Sequence, residues 1–120
     1  MKIVKSFVFA FNGIVFCFQK ETNFKIHLFF AAVVVLMGIN FHISTTEWLA
    51  IAVCTGFVLA MELLNTAVEK LCDVVHPAIH PQIKKVKDIS AGAVLLTAVA
   101  SAVAGTVIFL PKIIVFVKHL

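Results

Sequence analysis

The sequence predicts an all-α membrane protein: an N-terminal amphipathic helix on the bilayer surface and three transmembrane helices, associating as a homo-oligomeric bundle. Three observations predict it. Hydrophobic residues fill 62% of the 120 positions and charged residues only 13%, where a soluble domain carries about 25% charged residues. Apolar runs approaching the roughly 20 residues that a bilayer core requires recur three times. The few lysines gather near the ends of those runs, where anionic head groups would meet them.

The first element, about 2–22, sets Lys2, Lys5, Asn12 and Gln19 among Phe7, Phe9, Phe11, Phe16 and Phe18. That mixture suits a helix lying in the membrane surface rather than a further span. The first span, about 24–42, is apolar from Ile26 to Phe41 apart from His27 and Asn40. The second, about 48–72, opens on Trp48 at an interface position. The third, about 89–110, is apolar from Ile89 to Leu110 and is expected to stop at Pro111-Lys112. The whole chain reads as one domain, without internal repeat or linker.

Lysine placement orients it. Lys2, Lys5, Lys20 and Lys25 precede the first span and Lys84, Lys85 and Lys87 lie in the second loop, while the first loop, His42–Glu47, holds none. The positive-inside rule therefore places the N-terminus and second loop in the cytoplasm, with Lys112 and Lys118 as a weaker opposing signal. The basic residues are all lysine and no polar aromatic face accompanies them, so nucleic acid is not an expected partner. Cys17, Cys54 and Cys72 are widely spaced without a CxxC pair and read as small apolar side chains. The first 26 residues lack the pattern of a cleavable signal.

The acids carry the chemistry. A charge at the bilayer centre costs at least ~2.5 kcal/mol, yet Glu62, Glu69 and Asp73 fall in or near the second span. At about 100° per residue, Asn65, Glu69 and Asp73 lie at about −60°, −20° and +20° from Glu62, so all four share one helical stripe. Asn65 and Thr66 would serve well as glue between helices, and Lys70 could pair with Glu69 or Asp73. Two glutamates seven residues apart are poor glue, so a catalytic metal-phosphate site is preferred to glue or to an ion path. Glu21 at the end of the surface helix and Lys87-Asp88 at the start of the third span add carboxylates and a cation from other elements. Magnesium takes one or two carboxylates plus phosphate oxygens, and lysine with helix-terminal N–H groups neutralises phosphate charge. Glu62 is the deepest acid, where a lipid hydroxyl would reach a general base, and ATP would arrive from the cytoplasmic end. No GxxxxGK[ST] loop is present.

The motif Glu62-x-x-Asn65-Thr66-Ala67-x-Glu69-x-x-x-Asp73, followed by Lys87-Asp88-x-x-Ala91-Gly92-Ala93-Val94-Leu95-Leu96, resembles the prokaryotic diacylglycerol kinase family, which includes undecaprenol kinases. Glu21-x-Asn23-x-x-x-His27 is similar to the first conserved block of that family, with Thr22 where many members have Arg. The resemblance implies a kinase of the bacterial inner membrane that uses Mg²⁺ and ATP to convert diacylglycerol to phosphatidic acid. Undecaprenol is the alternative acceptor, and an ion-conducting or transporter subunit is the alternative of another class. It implies Glu62 as general base, Asn65 as the residue orienting the base or the γ-phosphate, and Glu21 and Glu69 as magnesium ligands. It assigns Lys87, Asp88, Asp73 and His80 to the nucleotide, Asp73 sharing that role with a possible pairing to Lys70, and sets Asn23 with Glu62 near the lipid. It also implies a homotrimer, and Ala91, Gly92, Ala93, Ala98, Ala100, Ser101, Ala102, Ala104 and Gly105 give the third span small faces for close packing.

Overall fold

The computed structural model describes all 120 residues and contains four helices with no strand. They are α1 (Lys2–Lys20), α2 (Thr22–Asn40), α3 (Thr45–Val75) and α4 (Pro81–Lys118). Each is long and apolar enough to cross a membrane. Only 13 of the 120 residues are buried, and most leucine, valine and phenylalanine side chains face outward. An apolar surface of that extent needs lipid or further chains to cover it.

The helix ends are set by local chemistry. Glu21 adopts an extended conformation (φ −105°, ψ 112°) and separates α1 from α2 with a single residue. At the end of α2 the Ile43 N–H returns to the Gly38 carbonyl and His42 takes φ 52°, a left-handed turn that closes the helix. Ser44 then opens α3: its hydroxyl accepts from the Glu47 N–H, and the Glu47 carboxylate accepts from the Ser44 N–H. At α4, His80 is the N-cap and Pro81 the first helical residue, where a missing N–H costs nothing.

The expected stop at Pro111 is corrected by the structure. Helix α4 runs for 38 residues straight through that proline to Lys118. An interior proline removes one helical hydrogen bond and costs about 3 kcal/mol or more, so tertiary contacts must hold the turn beyond it. They do: the Phe41 ring lies 6.3 Å from both Phe109 and Phe116. Lys112 also donates to Glu47 across 3.0 Å. At about 1.5 Å per residue α4 is ~57 Å long, the long dimension of the molecule (57 Å). Its first turns, through Lys84, Lys85 and Lys87, extend beyond the apolar run that marked the third span.

The packed core sits at the first-loop end. Ile43, Ile51, Ile108 and Phe109 form it, with Val34, Met37 and Trp48 against them. Gly38 is required there, because a Cβ would stand 2.6 Å from the Trp48 ring. Helix α1 lies against α2 and α3 at the opposite end. Its one buried side chain is Cys17, and Lys70 of α3 sits over the Phe16 ring at 5.2 Å.

Candidate active site

One face of α3 turns inward along its whole length. Its buried residues are Ile51, Val58, Glu62, Asn65, Thr66 and Cys72. They recur at intervals of three, four and seven, the spacing of a single helical face. That face is apolar toward the first loop and polar from Glu62 onward. The polar stripe is therefore the continuation of the helix's own packing face, aimed into the protein rather than at lipid.

Glu62 is the most enclosed acid, with 4% of its surface exposed. Its nearest polar partner across the helices is His27 of α2, whose Nε2 lies 3.1 Å from Oε1. His27 also lines a cavity of about 370 Å³ between α2, α3 and α4, whose other polar wall residues are Thr55 and Ser101. Phe30, Val34, Val58 and Leu59 line one side, and Ala98, Ala102 and Gly105 keep the α4 wall open. Part of the small-residue stripe of α4 is thus used inside the chain, where Ser101 donates to the Cys54 carbonyl at 3.4 Å.

One turn further toward the second loop, the Asn65 amide donates to Glu69 Oε1 at 3.3 Å. The carbonyl oxygen of the same side chain, Oδ1, is buried without a partner. A buried, unpaired acceptor is costly, so this oxygen beside a carboxylate is prepared for something other than the chain itself.

The outermost acids are tied to α4. Lys87 donates to Asp73 across 2.7 Å. That hydrogen bond raises the Lys87 ammonium above its ordinary value. Lys84 pairs with Asp88 one turn on at 2.7 Å. The expected pairing of Lys70 with Glu69 or Asp73 does not form; Lys70 lies over Phe16 instead. His80 accepts from the Gln82 N–H at 3.1 Å as the cap of α4 and packs against the His76 ring. Its Nδ1 is thereby committed to the helix end.

The structure thus brings together Glu62 with His27, Asn65 with Glu69, and Asp73 with Lys87. It leaves Glu21 half-buried at the α1–α2 corner and Asn23 exposed, neither with a side-chain hydrogen bond within the chain. No three acidic, histidine or cysteine side chains converge. His27 is the member that motif and stripe reasoning passed over as a site residue. A lone histidine inside an otherwise apolar run was the available signal.

Comparison with known proteins gives this geometry a setting. Residues 8–109 match the family described as prokaryotic diacylglycerol kinase. The undecaprenol kinase of Bacillus subtilis (strain 168) is 40% identical over 112 residues, spanning 93% of this chain and 91% of that protein. The diacylglycerol kinase of Synechocystis sp. (strain ATCC 27184 / PCC 6803 / Kazusa) is 34% identical over 113 residues, 93% of this chain but 65% of that longer protein. With a polar stripe that begins at a buried acid on an all-helical membrane scaffold, and a match covering most of its length, the chain belongs to the prokaryotic diacylglycerol kinase family of membrane lipid kinases.

Proposed function

We propose that the chain transfers the γ-phosphoryl group of Mg-ATP to the hydroxyl of a polyprenol, undecaprenol, with Glu62 as the general base. The observation that carries the base is burial beside a single histidine. Glu62 is enclosed, His27 Nε2 lies 3.1 Å from one of its oxygens, and an apolar cavity opens beside His27. A base must lie within hydrogen-bond reach of the hydroxyl it deprotonates, and a lipid tail in that cavity would present its hydroxyl there. The choice of acceptor is supported by the Bacillus relative, which is matched over nearly its full length. Diacylglycerol is the second reading, supported by the family description and by the Synechocystis relative.

Phosphoryl transfer is chiefly positioning and charge neutralisation, and the remaining residues divide that work. Glu69 and the unpaired Asn65 Oδ1 are oxygen donors of the kind a hard cation takes, so the donor set fits magnesium, with Glu21 as the further carboxylate. Bound there, magnesium would supply neutralisation of phosphate charge. Lys87, Asp73 and Asp88 would face the nucleotide at the cytoplasmic end. Glu21 has no side-chain bond within one chain, which supports a homotrimer whose sites are completed between subunits. The cytoplasmic N-terminus rests on the lysine distribution, the surface position of α1 on its polar residues set among phenylalanines, and the bacterial inner membrane on the family. Lys112 opposes that distribution less than its charge implies, because Glu47 neutralises it at the first-loop end.

The test is transfer of labelled γ-phosphate in mixed micelles with undecaprenol and diacylglycerol offered separately. Undecaprenol should be used with the higher kcat/KM. A preference for diacylglycerol would overturn the acceptor assignment and leave the kinase intact.

A further inference from the structure

We propose that His27 is the positioning residue of the catalytic base: its imidazole, 3.1 Å from one carboxylate oxygen of Glu62, donates to that oxygen in the reacting complex and leaves the other free to take the lipid proton. This rests on the reading of Glu62 as the base.

The argument begins with α2. From Ile26 to Phe41 that helix is apolar except for His27 and Asn40, and a polar side chain in such a run needs a partner. Its partner is the most buried acid of the chain, at 3.1 Å, with 24% of the His27 side chain and 5% of the Glu62 side chain exposed. Lys70, the lysine of α3, is directed to Phe16. Cys17, the buried residue of α1, carries a thiol, which is a weak donor. The orientation of the base thus depends on His27.

Position adds a second reason. His27 lines the apolar cavity and stands 3.1 Å from Glu62, so the hydroxyl of a lipid housed there with its head at His27 comes within reach of the carboxylate. In the transfer the lipid O–H bond breaks and its proton goes to the free Glu62 oxygen. The alkoxide electron pair forms the new O–P bond as the bond from the γ-phosphorus to ADP breaks. His27 donates its hydrogen bond throughout and neither gains nor loses a proton. A carboxylate without this tether could rotate away from the attack geometry, and misplacement by about 1 Å costs on the order of 10²-fold in rate.

The experiment compares four full-length proteins in mixed micelles: wild type, His27→Gln, His27→Leu and Glu62→Gln. Gln offers an N–H near the place of Nε2, whereas Leu fills the space without a donor. The expected result is a kcat for His27→Leu lower by about tenfold or more with the KM for ATP unchanged, and a kcat for His27→Gln restored most of the way to wild type. Equal activity of the Leu and Gln variants, whether both high or both low, would overturn the proposal. So would a loss confined to the KM for ATP. If Glu62→Gln itself turns over normally, the base assignment fails; if it is inactive while His27→Leu is not, the base stands and the role of His27 falls.

Discussion

At the first-loop end of α3 the Glu47 carboxylate accepts from the Ser44 N–H and from Lys112, and the backbone around it is closed by a capping box and an aromatic cluster. Toward the second loop, the same helix buries Glu62 beside a single histidine and leaves Asn65 Oδ1 without a partner. Both ends carry acids on a membrane helix, but the polar end also buries a side-chain acceptor, Asn65 Oδ1, without a partner. The first-loop end is built for stability: every polar group it uses closes a turn or joins α3 to α4. The polar end carries unmet bonding capacity at the Asn65 amide oxygen. A folded chain keeps such capacity when it is used in function.

Changes at the two ends should therefore act on different measurements. The larger expected effect is at the polar end. Glu69→Gln should raise the Mg²⁺ concentration for half-maximal activity by roughly tenfold or more, with little change in melting temperature. An unchanged Mg²⁺ titration would remove Glu69 from the metal site. At the packed end, Gly38→Ala places a Cβ 2.6 Å from the Trp48 ring. It should destabilise the protein by about 1–3 kcal/mol, read as a lower melting temperature in detergent, while the activity of the folded fraction persists.

The smallest effect is electrostatic. The Ser44 N–H, and after it Lys112, hold the Glu47 carboxyl below its ordinary value of 4.5. A depressed carboxyl contributes stability that is present above the unfolded value and is lost as pH falls through the folded one. The difference in melting temperature between wild type and Glu47→Gln should therefore be greatest near neutral pH and shrink as pH falls below that ordinary value. A difference that persists unchanged in acid would assign Glu47 a packing role alone.

Much of this division was legible in the sequence. Hydropathy located the three spans, the mixture of polar residues and phenylalanines located the first helix, and the 3.6-residue period placed Glu62, Asn65, Glu69 and Asp73 on one stripe, where the structure has Glu62 and Asn65 buried, Glu69 half-buried and Asp73 exposed. The helix ends were less well read, because hydropathy marks where a helix is apolar rather than where it is helical. Ser44-x-x-Glu47 and His80-Pro81 carried the true starts of α3 and α4 in their capping chemistry. Pro111 misled for a physical reason: the cost of an interior proline is local, while the contacts of Phe41, Phe109, Phe116 and Lys112 that offset it are tertiary. The two cross-helix pairs, His27–Glu62 and Lys87–Asp73, depend on the relative rotation and height of separate helices. No periodicity within one helix encodes that.

The central claim is that the buried acid of α3 does the chemistry, and Glu62→Gln tests it most directly. Phosphoryl transfer from labelled ATP and nucleotide binding should be measured on the same micellar protein. The account predicts turnover lower by about 10²–10⁴-fold with ATP binding retained. Turnover near wild type would contradict it, and loss of ATP binding together with turnover would move Glu62 from the lipid hydroxyl to the nucleotide.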